Sequence, residues 1–126
     1  MPKEAFDSVQ RQLHEQVRSN GFWDHETIDL YGYANPASNP SIYFEKLMLI
    51  TTELAEAAEE MRKPGWEKRG TYYREDGKPE GVAPELADAM IRLFDLAEVL
   101  GISLIDAIIE KDAFNRTRPF MHGKTA

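Results

Sequence analysis

Glu53 and Glu56 in ITTELAEAAEEM, and Glu85 and Asp88 in APELADAMIRLF, form two pairs of acids with three-residue spacing. On an α-helix, residues three apart project from nearly the same side. Packing the two helices together would bring four carboxylates into one small volume. So much negative charge inside a fold is unfavourable unless a cation neutralises it. The oxygen-preferring candidates are Mg²⁺, Mn²⁺ and Ca²⁺. Glu is also a strong helix former, and the ordinary reading of a Glu-rich helix is a solvated face. Glu59, opposite the apolar stripe, fits that reading. Glu53 falls between Ile50 and Ala57 at the core margin, Glu85 lies one turn before Ala89, and Glu56 and Asp88 follow on the same flank. The repetition on two helices favours an inward role for all four. Glu60 and Asp95 would extend the same acidic wall. A carboxylate-bridged di-iron site needs Glu-x-x-His pairs, and no Glu here is followed three residues later by His.

A second constellation lies in KDAFNRTRPFMHGK, where Lys111, Asn115 and Arg118 have helical spacing and His122 and Lys124 follow. Cations suit a helix C-terminus on dipole grounds alone. Beside an acidic metal site, the same cluster would neutralise phosphate oxygens, with Arg as a bidentate fork and Lys as a point charge. A metal site plus a basic cluster is what a di- or triphosphate requires. Phe22, Trp23, Trp66, Tyr72 and Tyr73 are candidate stacking surfaces, and His14 or Asn20 could hydrogen-bond a base, although burial in the core is the commoner explanation of any one aromatic. Trp23 is the preferred stacker because it follows a helix end. His14, His25 and His122 are too scattered for zinc.

The elements that must position these residues are helices. Phe6, Val9, Leu13 and Val17 predict a first helix over 3–19, ended by Asn20-Gly21. A second begins near Ser41, carries Tyr43, Leu47, Ile50, Leu54, Ala57 or Ala58, and Met61 on its apolar face, and closes at Lys63-Pro64-Gly65. Pro84 suits the first turn of a third, with Leu86, Ala89, Leu93, Leu96, Ala97 and Leu100 as its stripe and Gly101 after its end. Ser103 caps a fourth, with Asp106 in the first turn. Segments 22–40 and 63–83 read as loops, the latter a lid, a short hairpin or a mobile stretch. The class is all-α, a four-helix bundle in a single domain over 1–126, with its core at 41–118.

At 126 residues, with 42% hydrophobic and 29% charged residues, the composition is that of one soluble globular domain. A net charge of −7 argues against a nucleic-acid backbone as partner. The chain has no Cys, which excludes disulfides, thiolate metal sites and Cys nucleophiles. The polar N-terminus and the lack of a long apolar run predict a cytoplasmic protein with no membrane partner. The wide apolar faces Leu47 to Met61 and Leu86 to Leu100 predict an oligomer.

The E-x-x-E pair, the E-x-x-D pair within PELADAM and the K-x-x-x-N-x-x-R-P-x-x-x-G-K tail, in that order, resemble the MazG-like all-α nucleoside triphosphate pyrophosphatase superfamily, from Phe44 to Lys124. The resemblance implies a four-helix bundle of that type, with Glu53, Glu56, Glu85 and Asp88 as catalytic ligands of Mg²⁺, Mn²⁺ being a substitute. It also implies that Lys111, Asn115, Arg118 and Lys124 contact phosphate. The implied reaction is hydrolysis of a nucleoside triphosphate to monophosphate and pyrophosphate, in a homodimer or homotetramer where a neighbouring chain can complete the pocket. The chain departs from the family in having Thr52-Glu53 where a double Glu is frequent, and in a longer segment between the acidic pairs. The alternative is a non-catalytic helical module that binds a nucleotide or a protein partner.

Overall fold

The computed structural model describes residues 1–23 and 41–120. The element order is α1 (Lys3–Ser19), α2 (Ser41–Met61), α3 (Trp66–Arg69), β1 (Tyr72–Tyr73), β2 (Pro79–Glu80), α4 (Val82–Val99) and α5 (Leu104–Arg116). The expected all-α character holds, and the four long helices fall where the periodicity and caps put them. Ser103 caps α5 by accepting a hydrogen bond from the Asp106 N–H. The segment after α2 is structured: a single-turn helix is followed by a two-residue antiparallel ribbon pairing Tyr72 with Glu80 and Tyr73 with Pro79. Among the described residues, no helix is long and apolar enough to cross a membrane. The rest of the loop expected at 22–40, from 24 onward, lies outside the described residues, as do His25, His122 and Lys124.

Helix α4 is the central element. Glu53 on α2 reaches Arg92 on α4, and Ile42 at the start of α2 packs with Val99 at the end of α4, so the two run antiparallel. Helix α1 is also antiparallel to α4, because Gln10 bonds Glu98 while His14 bonds Asp95. An apolar cluster of Trp23, Ile42 and Val99, flanked by Val17 and Tyr43, closes one end.

The buried faces differ from those the apolar pattern predicts. On α1 the fully buried residues are Gln10 and His14, while Phe6 and Val9 are exposed. On α2 the buried stripe is Ile42, Lys46, Ile50, Glu53 and Ala57, and Leu47, Leu54 and Met61 face outward. On α4, Leu86 and Leu100 of the expected stripe are exposed and Asp95 is buried. The buried stripe is shifted by about one position on α1 and in part on α2, where Ile50 and Ala57 are buried as expected, while on α4 the expected Ala89, Leu96 and Ala97 are buried and the stripe widens to take in Phe94, Asp95 and Val99. Periodicity reports where apolar residues cluster, and here they cover both an internal and an external face.

The ribbon packs beside the first turn of α4. Gly81 leads into that helix with φ +120°, and a Cβ there would lie 2.9 Å from the Gly70 carbonyl oxygen. Only glycine combines that backbone angle with such close approach. The base of the ribbon is thereby held against the acidic end of α4.

Candidate metal centre

The first turns of α4 face the middle of α2, and this juxtaposition assembles the acids. One carboxylate oxygen from each of Glu53, Glu56 and Glu85 lies within 4.8 Å of the others. Glu53 is buried, Glu85 half-buried and Glu56 exposed, so the cluster opens on one side. Oxygens around a six-coordinate Mg²⁺ are at most about 4.2 Å apart, given bonds near 2.1 Å; small side-chain adjustments would meet that spacing. Asp88 is not in this group of three, although its charge acts on Glu85. The four-acid convergence expected from the two pairs is therefore a three-acid cluster with Asp88 beside it.

Like charges dominate the electrostatics around Glu85. Burial first, then a hydrogen bond shared with Glu56 and the charges of Glu56, Asp88 and Glu53, pushes the Glu85 carboxyl up to about 7. Its Oε2 is buried and has no hydrogen-bond partner among the described residues. A buried carboxylate oxygen normally finds a donor, so this orphan oxygen and its all-oxygen neighbours fit a hard divalent cation. One cation is already close: Arg92 Nε donates to Glu53 Oε1 at 2.8 Å.

A cavity of about 290 Å³ adjoins the cluster, lined by Glu53 of α2 and Asp88 of α4 and by Gln16, Asn20 and Phe22 from α1 and the turn after it. Arg92 also lines it, its guanidinium 5.8 Å from the centre of the Phe22 ring. Phe22 is 44% exposed and offers the aromatic surface expected of Trp23. Trp23 itself has no exposed surface. Its indole N–H donates to both oxygens of Asp95, and Lys46 Nζ lies 4.6 Å over its ring. A ring so enclosed is a core side chain, and the expected stacking role does not suit it.

Other expected residues are elsewhere. Asp95 is no part of the acidic wall, since it binds Trp23 and accepts from His14 Nδ1 at 2.7 Å. Glu60 accepts from Lys63 Nζ and from the Tyr72 hydroxyl, which anchors the ribbon to the end of α2. Lys111 and Arg118 flank the exposed Phe114, with Asn115 between them in sequence. Their helix lies by the opposite end of α1, where Met1 shares a cavity with Ile109, Asp112 and Arg116. Helix α1 separates the two ends by about 25 Å, at 1.5 Å per residue. One chain does not bring this basic cluster to its own acids.

Sequence reasoning passed over Arg92 and Gln16. The signal for Arg92 was present: a single Arg within the apolar run AMIRLF, four residues after Asp88 and so on the same helix face. Compared with models of known protein families, with curated proteins and with solved structures, the chain finds no match in any of the three.

Proposed function

We infer that the protein is a Mg²⁺-dependent nucleoside triphosphate pyrophosphohydrolase, as the sequence resemblance implies. The observation that carries this reading is the meeting of three carboxylates from two helices around a buried, unbonded Glu85 oxygen, next to a cavity of nucleoside size. Glu53, Glu56 and Glu85, with Asp88 adjacent, would hold the ion; Mn²⁺ has the same ligand preference. A divalent ion supplies charge against the phosphoryl oxygens and makes water a better nucleophile. Through such an ion the acids would hold the polyphosphate end, while the walls of the cavity hold the nucleoside. Water adds to the α-phosphorus and gives up a proton to a carboxylate of the cluster or to solvent, the bond from that phosphorus to the α–β bridging oxygen breaks, and pyrophosphate leaves with the electron pair.

The phosphate role of Lys111, Asn115 and Arg118 requires a second copy of the chain, since these residues lie far from the acids of their own. Exposed Leu47, Leu54 and Met61 on α2 and Ile108, Ile109 and Phe114 on α5 supply apolar surface for such a homodimer. The Arg92–Glu53 pair favours a second reading, because an internal guanidinium can neutralise part of the cluster without metal. In that case the protein is a binding module. Incubation with a panel of ribo- and deoxyribonucleoside triphosphates and Mg²⁺ decides between them. Release of pyrophosphate is expected, and nucleotide binding without any release would establish the module.

A further inference from the structure

We propose that Arg92 selects the base of the nucleotide, favouring one with a keto edge and guanine above the others. The inference rests on reading the acid cluster as the site of a nucleotide's phosphates. Glu53 and Asp88 line the cavity together with Phe22, Gln16, Asn20 and Arg92, so a ligand with its phosphates at the acids would extend its organic part among the other four.

Arg92 is held by two contacts. Nε donates to Glu53 Oε1 at 2.8 Å, and the guanidinium sits 5.8 Å from the centroid of Phe22. Its Nη1 and Nη2 make no hydrogen bond among the described residues, and the side chain is 27% exposed. A guanidinium carries donors only. An oriented fork with free Nη groups therefore matches a ligand edge bearing acceptors. Guanine presents O6 and N7 side by side, the pair to which Arg binds with two parallel hydrogen bonds. Uracil and thymine offer one carbonyl on the corresponding edge. Adenine and cytosine place an amino group there, which sets donor against donor. Phe22 supplies a face on which the base stacks. The amides of Gln16 and Asn20 both donate and accept, and so can complete either edge without deciding between them. Discrimination falls to Arg92.

Calorimetric titration of the full-length protein in Mg²⁺ with GMP, UMP, AMP and CMP tests this without requiring turnover. The wild type should bind GMP about tenfold more tightly than AMP, the size of effect one bidentate pair produces. Arg92→Lys keeps a positive charge for buried Glu53 but loses the fork. It should melt within a few degrees of wild type and bind GMP and AMP within about twofold of each other. Equal affinity in the wild type, preference for AMP or CMP, no binding of any monophosphate, or a GMP preference that survives in Arg92→Lys would each overturn the proposal. The reaction itself is a separate matter. Pyrophosphate release from every triphosphate at one rate, with no GMP preference in binding, would sink base selection and leave the activity standing. Selective GMP binding with no release would do the reverse.

Discussion

Helix α4 carries two groups of inward-facing polar side chains about three turns apart, and they are built on opposite principles. Around Asp95 every bond is complementary: His14 donates from Nδ1, and Trp23 donates its indole N–H to both carboxylate oxygens. Asp95 is acceptor-only when ionised, so the proton of that bond sits on His14 Nδ1. Around Glu85 the neighbours are like charges, the carboxyl is pushed up to about 7, and Oε2 has no partner among the described residues. A satisfied buried network specifies packing, whereas an unsatisfied one weakens the fold unless something binds it. The first group locks α1 to α4, and the second gathers like charges around a carboxylate oxygen with no partner among the described residues.

The contrast can be broken most forcefully at the acids. Glu85→Gln should lower pyrophosphate release on the order of a hundredfold or more. Rates near wild type in a panel assay would remove Glu85 from the site. On stability the same variant should do little harm, gaining up to about 1 kcal/mol in metal-free buffer because one of several clustered charges is gone. Asp95→Ala should do the opposite, costing about 3 kcal/mol in urea unfolding by stranding the His14 and Trp23 donors. A loss of under about 0.5 kcal/mol would show that this network does not hold α1 in place.

Acidity sharpens the same contrast. Glu85 has its folded-state value near 7 and an ordinary value of 4.5, so the unfolded chain gives up this proton first. The stability it contributes is complete below about pH 4.5 and lost as pH rises through about 7. Metal-free denaturation across that window should show the fall in wild type and a flatter curve in Glu85→Gln. Mg²⁺ should raise the wild-type melting temperature at neutral pH by mass action. No rise at millimolar Mg²⁺ would argue that Arg92 has taken the place of the metal. The smallest effect is expected at the far end of the molecule. Lys111→Ala should leave Mg²⁺ affinity within about twofold of wild type while weakening substrate binding. A larger change in metal affinity would mean that the basic cluster reaches the acids after all.

Much of this was legible in the residues. Helix limits followed from local signals: Asn20-Gly21 ending α1, Pro64-Gly65 ending the α2 segment, Ser103 capping α5. The pairing of Glu53 with Glu56 on one helix face needed only the 3.6-residue repeat. The rotation of the buried stripes was not legible, because Leu47 and Leu54 are as apolar as Ile50 and nothing local says which face meets α4. Trp23 looked like a loop aromatic free to stack until Asp95, distant in sequence, proved to hold its N–H. Lys111 and Arg118 had the right chemistry for phosphate, but their position depends on the direction in which α5 leaves the bundle.

By itself the sequence determined that the chain is helical, where its helices stop, and which acids can share a helix face, since each of these depends on neighbours within a turn or two. Only the tertiary structure decided that three acids meet while Asp88 stands aside, that Arg92 joins them, that Phe22 rather than Trp23 borders the cavity, and that the basic cluster lies by the other end of α1. Those outcomes depend on the rotation and direction of helices packed against one another, which are set by the summed burial of whole faces rather than by any local pattern.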